Sequence, residues 1–327
     1  MTPPSFHSIP FFGDVAALLA ALPAGAGVGQ ILGPEAKSLT IAAPANLRKW
    51  AASNLGAGPP PAKGKRPRTD LTSVTTAVAF AVTTSPFHQR LTYERLMARH
   101  VPASARRDLK PPVFLHLDPR ERFPRLTLRG VADDLASCYG PFRDRRVAEK
   151  ARAALHKLVH LRPCDYVFEP EPALALGVSC LFAQVRSCAA PCLRRVTEGE
   201  YQELARSVAD LLAGPERRPA GLVAFVPAAV TPADGKGLVV ATTKAAVELY
   251  PVQAGTVLEA GRVVAGEAGL DTAVSALRWD APGAAGGDWL WLASWLGSPR
   301  GRASYVAVPA GVPAAELGPI VRAHLQA

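Results

Sequence analysis

No apolar run in this chain approaches the ~20 residues that cross a bilayer as a helix. Its candidate near the start, VAALLAAL at 15–22, is short and has no basic residues ahead of it. Neither a membrane anchor nor a secretory leader is therefore expected, and the chain is expected to be soluble and cytoplasmic. No internal repeat is evident, which excludes solenoid architectures. Acidic side chains are the scarcer charge: 27 against 37 basic ones, a net charge of +10. That balance argues against a cationic partner and suits a polyanion, nucleic acid first. Cysteine is also scarce, with five in 327 residues. A disulfide framework is not expected in a reducing compartment, where clustered thiols more often bind metal or act in catalysis. Proline (31) and glycine (27) are plentiful and imply many turns. The length allows two or three compact domains.

The pattern alternates between helical and strand periods, giving an α+β expectation in three parts. Residues 1–130 begin with a short amphipathic helix in FGDVAALLAALPAG, followed by a hairpin from GVGQILGP and KSLTIAAP. ANLRKWAASNLG is then a helix, with Asn46 as N-cap and Leu47, Trp50 and Leu55 on one face. The stretch 56–70 has proline, glycine and the cations Lys63, Lys65, Arg66 and Arg68, and is expected to be an exposed basic loop. TSVTTAVAFAVTTS is β-branched and apolar, a buried strand, and SPFHQRLTYERLMARHV turns helical. PPVFLHLDP and FPRLTLRG give two more strands.

Residues 131–214 are expected to form a helical cysteine-bearing module. From YGPFRDRR a long helix places Val147, Ala151, Leu155, Leu158 and Val159 inward. Arg145, Arg146, Arg152, Lys150 and Lys157 ride outward. TEGEYQELARSVADLLAG is a second helix, with Thr197 and Glu200 in capping-box register and Gly214 as its stop. PERRPAG is expected to be a linker. Residues 221–327 form a mixed α/β domain of unknown role. LVAFVP, GLVVATT, AVELYPV, TVLEAGRVV and AVSALRW are strand-like, DWLWLASWL is a helix, SYVAVP a strand and the end a helix. The acids Glu248, Glu259, Glu267, Asp271, Asp280 and Asp288 fall mostly in expected turns and form no carboxylate set for a second nuclease.

Four of the five cysteines crowd into 29 positions, spaced Cys164-x15-Cys180-x7-Cys188-x3-Cys192. Four thiolates complete the ligand set of a tetrahedral zinc ion or a cubane iron–sulfur cluster. Zinc modules usually pair cysteines in short knuckles, which only the last interval approaches, and spacing alone leaves the two metals level. Cys138, in ASCYG, is expected to be an ordinary core residue.

The segment YGPFRDRRVAEKARAALHKLVHLRPC through SCLFAQVRSCAAPCLRRVTEGEYQELARSVADLLAG resembles the region after the nuclease domain in the excinuclease C (UvrC) family and its Cho-type relatives. The matches are Tyr139-Gly140-Pro141-Phe142, Leu161-Arg162 with Cys164, Cys180-Leu181, Cys188, Ala190-Pro191-Cys192, Glu200-Tyr201, and Leu212 with Gly214. FPRLTL resembles the strand before it. The resemblance implies that Cys164, Cys180, Cys188 and Cys192 hold a [4Fe–4S] cluster, with zinc as the alternative. It also implies a GIY-YIG nuclease domain upstream, with a mixed sheet, whose rhythm residues 22–50 follow without its chemistry. The first tyrosine position falls on Gly29 and the second on Thr40. The lysine falls on Ala43, the arginine on Trp50 and the later tyrosine on Asn54. The metal-binding glutamate falls near Arg99, with Glu94 one turn away as the remaining catalytic candidate.

The expectation is thus a nucleotide-excision-repair protein that binds damaged or bent DNA and has largely lost GIY-YIG cleavage. A divalent metal is expected only if cleavage survives. The phosphate-contacting candidates are Lys63, Lys65, Arg66, Arg68, Arg145, Arg146, Lys150, Lys157, Arg186, Arg194 and Arg195. The alternative is a non-enzymatic adaptor or iron–sulfur docking protein whose Trp289, Trp291 and Trp295 meet a repair partner.

Overall fold

The computed structural model describes residues 6–58, 69–106, 111–130, 135–173, 180–214, 217–226, 230–244, 246–258, 263–265, 269–279, 288–298, 300–301, 304–308, 312–313 and 316–326. It is mixed α and β and divides into two compact units. One is Met1–Arg107 with Ala241–Ala246, and the other is Asp108–Val240 with Val247–Ala327.

The first unit is a four-stranded sheet in the order β1(His7–Pro10), β4(Ala77–Val82), β2(Gly27–Leu32), β3(Ser38–Ala42). Every neighbouring pair is antiparallel, which corrects the expected mixed sheet. The reason is topological. β3 and β4 run the same way, but β2 lies between them, so the helical crossover never makes a parallel neighbour. Helices α1(Val15–Ala21), α2(Leu47–Asn54) and α3(Pro86–His100) accompany the sheet. Asn46 caps α2 through Lys49 N–H at 2.9 Å, and Leu47, Trp50 and Leu55 are all buried, as their spacing predicts. They pack with Leu18, Leu22, Ile31, Val78 and Phe80 into one core. The edge strand β1 escapes sequence reading because Pro10 breaks its pattern, and proline is tolerated on an edge.

The second unit has two sheets. In one, β6(Thr127–Arg129), β5(Val113–His116), β7(Cys138–Phe142) and β8(Thr231–Pro232) lie in that order, each pair antiparallel. Against it pack α4(Arg145–Leu158), capped by Asp144, and α6(Glu198–Ala213), with α5(Leu181–Gln184) between them in sequence. Leu115, Phe123, Phe142, Leu155, Tyr201, Val208, Leu212, Leu222 and Val230 share one core. The strands of 113–129, helices α4 and α6, and Leu222, Val226 and Val230 therefore bury themselves in one core. YGPF is strand β7 rather than a helix start. Leu158, in the last turn of α4, stands exposed while Ala148, Ala151 and Leu155 face the core. The Thr197–Glu200 capping box of α6 and its stop at Gly214 form as expected.

PERRPAG is no loose linker. Arg218 is buried, donating to the carbonyls of Leu211, Leu212, Val226 and Val230. LVAFVP begins as the helical turn α7(Ala220–Val223) rather than a strand. The second sheet runs β11(Thr256–Val257), β10(Val247–Gln253), β9(Lys236–Thr242), β13(Tyr305–Val308), with β12(Val263–Ala265) also on β10. AVSALRW contributes only Ala273–Ser275 to helix α8(Leu270–Ser275) and forms no strand; α9(Trp289–Leu296) and α10(Leu317–Gln326) follow. A short apolar run does not by itself distinguish helix from buried strand. No helix among the described residues is long and apolar enough to cross a membrane.

Candidate metal centre and basic face

Each cysteine of the group occupies a loop position fixed by its neighbours. Cys164 lies in the extended segment after α4, where Arg162 anchors the chain. The Arg162 backbone N–H donates to Tyr201 Oη at 2.7 Å. Its guanidinium donates to Phe123 O at 2.8 Å, Tyr166 O at 2.9 Å and Cys164 O at 3.3 Å. Tyr201 Oη in turn donates to Pro124 O at 3.1 Å, and burial pushes this phenol's pKa up. Cys180 is the N-cap of α5, and Cys192 sits in a single 3-10 turn, Pro191–Leu193, flanked by left-handed Ala190 and Arg194. The loop is tied to the end of α4 by Ala189 N–H donating to His160 O at 2.8 Å.

The thiols influence one another. The Cys188 thiol is pushed up to about 11, first by burial and then by the like charges that Cys164, Cys192 and Cys180 would carry, while Ala190 N–H donates to its sulfur at 3.3 Å and opposes the rise. Cys192 is raised in the same way, with burial first and then Cys180 and Cys164. All four are free thiols and half-buried. Four thiolates crowded without a cation repel each other, so the set is suited to receiving positive charge. Among the described residues, no three His, Cys, Asp or Glu side chains converge as ligands of one metal ion. Cys138 is buried in the core, as its isolation predicts.

The basic candidates divide into three groups. Arg145, Arg146, Lys150 and Lys157 are exposed on α4. Arg145 is held by Glu149 at 2.8 Å, whereas Arg146, Lys150 and Lys157 recur at spacings of four and seven and so form one stripe. Arg186, Arg194 and Arg195 are exposed around the cysteines. Two of them also hold the loop: Arg194 Nε donates to Pro170 O at 2.9 Å and Arg195 Nη1 to Ala183 O at 3.3 Å. Lys63, Lys65, Arg66 and Arg68 lie outside the described residues.

In the first unit, of the positions aligned with nuclease chemistry, Gly29, Trp50 and Glu94 are buried, Thr40 and Asn54 are half-buried, and Ala43 and Arg99 are exposed. A Cβ built on Gly29 would overlap the six-membered ring of Trp50, and the indole is buried. Asn54 Nδ2 donates to Trp50 O at 2.7 Å. Glu94, only 2% exposed, is ion-paired with Arg90 at 2.5 Å and Arg106 at 2.6 Å. Both carboxylate oxygens face guanidinium groups, an environment that opposes a divalent cation. Sequence reasoning missed the Arg106 partner because twelve residues separate it from Glu94.

The tryptophan expectation for docking is corrected. Trp289 and Trp291 are buried, Phe114 packs edge-on to Trp289 at 5.6 Å, and Trp295 is half-buried with its Nε1–H directed to Ser304 Oγ at 3.3 Å. Asp288 is buried too, accepting from Val257 N–H at 2.8 Å and Trp291 Nε1–H at 3.0 Å. Glu248 is on strand β10, within the strand-like run AVELYPV, and is buried, accepting from Tyr250 Oη at 2.8 Å. Glu259, Glu267 and Asp280 lie outside the described residues.

Residues 113–211 match the family described as UvrC/Cho excinuclease, middle domain. The UvrABC system protein C of Geobacter metallireducens is 31% identical over 199 residues, covering 60% of this chain and 31% of that protein. Its counterpart in Nitrosomonas europaea is 30% identical over 206 residues, covering 62% of this chain and 32% of the relative. That of Novosphingobium aromaticivorans is 36% identical over 109 residues, covering 33% and 16%. The chain thus spans about a third or less of the length of these relatives. No solved structure matches.

Proposed function

We propose, for a chain that is UvrC-type through its residues 113–211, a role as a DNA-binding nucleotide-excision-repair protein built around a [4Fe–4S] centre. The observation that carries the reading is the coupled set Cys164, Cys180, Cys188 and Cys192 inside the matched segment. These sulfurs are near enough to raise one another's pKa, yet no three of them converge on one ion. A tetrahedral zinc ion held by the same four thiolates is the alternative, and the choice of iron–sulfur rests on the UvrC-type match of the segment. When bound, the cluster supplies positive charge to the thiolates and cross-links the loop. The chain's own residues do the rest. Arg162 and Tyr201 hold the Cys164 strand, and Ala190 N–H stabilises the Cys188 sulfur.

DNA contact is assigned to the stripe Arg146, Lys150 and Lys157, with Arg145 beside it and with Arg186, Arg194 and Arg195 around the cysteines. Lys63, Lys65, Arg66 and Arg68 extend the proposal to the basic loop. Repair proteins remain the proposed protein partners. Cleavage of the GIY-YIG kind is proposed to be lost. The support is Trp50 filling the space over Gly29, and Glu94 held by Arg90 and Arg106.

The test is anaerobic purification with iron, sulfide and zinc analysis, followed by DNA binding across a salt series. The expected result is about four irons and four sulfides per chain, by the cluster's stoichiometry, with binding that weakens as salt rises. A metal-free protein, or one binding DNA independently of salt, overturns the proposal. Incision of lesion-bearing duplex with Mg²⁺ or Mn²⁺, abolished by Glu94→Gln, overturns the lost-cleavage part.

A further inference from the structure

Twelve large apolar side chains stand exposed among the described residues, and six of them lie between 158 and 185, so the exposure is concentrated around the cysteines. The sharpest part is the short turn α5 and the residue after it. Leu181 is 63% exposed, Phe182 40% and Val185 60%. Leu181 and Val185 are one turn apart and share a face. The turn is well formed: Val185 N–H donates to Leu181 O at 2.9 Å and Ser187 N–H to Phe182 O at 3.0 Å. Its ends are the thiol-bearing Cys180 and Cys188, so both ends of this apolar tip belong to the cysteine loop.

The chemistry around the tip indicates what covers it. From 172 to 197 the sequence has no carboxylate side chain and three arginines, Arg186, Arg194 and Arg195. The Arg195 guanidinium reaches the tip itself, donating to Ala183 O at 3.3 Å, and Arg186 is the next residue after Val185. A protein partner's apolar groove needs no such cationic collar. A nucleic acid does, because phosphates flank every base step. Proteins that kink or open duplexes combine cations on the backbone with Phe or Leu wedges inserted between bases. Base stacking on an aromatic ring is also independent of sequence, which suits recognition of distortion over a particular site.

We infer that Phe182, with Leu181 and Val185 beside it, is a wedge that enters an unstacked step of bound DNA while Arg186 and Arg195 contact the adjacent phosphates. The inference rests on the DNA-binding role proposed above and adds to it a preference for opened duplex. A step that is already unpaired costs little to enter, whereas a fully stacked one must first be opened.

The experiment compares the full-length protein and its variants on two DNA molecules at one salt concentration. One is a fully paired duplex and the other the same duplex with a short unpaired bubble. Fluorescence anisotropy gives the affinities, and 2-aminopurine in the bubble reports stacking. The wild type is expected to bind the bubble about tenfold more tightly. Phe182→Ser removes that preference while leaving paired-duplex affinity, its salt dependence and the iron content unchanged. Phe182→Trp keeps the preference, which a merely structural role would not predict. Wild-type binding of both duplexes alike, or a bubble preference that survives Phe182→Ser, overturns the wedge and leaves the DNA-binding role standing. No binding to either duplex overturns both. A dimer in sedimentation that Phe182→Ser converts to monomer, with DNA binding unchanged, also overturns the wedge by assigning the tip to a second copy.

Discussion

Gly29 and Cys188 mark opposite ways in which this molecule fills its interior. Around Gly29 the first unit is closed, since an indole occupies the space a side chain would take, and on α3 the carboxylate Glu94 is paired with arginines of the same unit. Around Cys188 the second unit has the reverse composition. Half-buried thiols crowd together, guanidinium groups hold the loop's carbonyls, and large apolar side chains point outward. Close packing and reactive groups compete for the same volume. Where the interior is complete there is no room for a ligand. Where thiols crowd a loop, the proposed cluster would supply a cross-link.

Four substitutions test that contrast, the first with the largest expected effect. Cys188→Ser removes one ligand of the proposed cluster and is expected to lower the iron and sulfide content of the purified protein. Limited proteolysis should then cut within 159–196 while the fragment 6–106 survives. A variant that keeps its protease resistance in that loop breaks the comparison on the cysteine side. On the other side, Trp50→Ala should cost about 4 kcal/mol in urea unfolding by emptying the core. Gly29→Ala should cost about 2 kcal/mol by overpacking. The double variant should lose less than the sum, because the alanine methyl then occupies space the indole has left. Strict additivity would mean that Trp50 does not own the space over Gly29. The smallest effect is expected at Tyr201→Phe, about 1–2 kcal/mol. It leaves the Arg162 N–H and the Pro124 carbonyl without their partner at 2.7 and 3.1 Å. A larger loss there, accompanied by loss of iron, would sharpen the comparison by tying the tyrosine to the metal loop.

Local signals carried much of this structure. Asn46, the Thr197–Glu200 box and Gly214 mark helix ends through hydrogen bonds made within four residues, so a linear reading finds them. The cysteine group is equally visible, since four thiols in 29 positions stand out against one elsewhere. What escaped is decided by distant partners. Arg218 lies in a stretch that looks like a linker, and only the folded chain brings four carbonyls around its guanidinium. YGPF became a strand because β5 was there to pair with it, and AVSALRW forms none because its first three residues end helix α8. The outward Leu181, Phe182 and Val185 look like ordinary core residues in the sequence.

The Arg218 contacts also decide where this protein can be cut for study. A fragment ending at Gly214 would strip the guanidinium from the Leu211 and Leu212 carbonyls and remove Leu222, Val226 and Val230 from the core they share with Tyr201. It would also leave β7 with an unpaired edge where Thr231 and Pro232 belong. The shortest piece able to keep the cysteine loop in its native setting therefore begins ahead of Val113 and runs through Pro232, some twenty residues past the last turn of its final long helix.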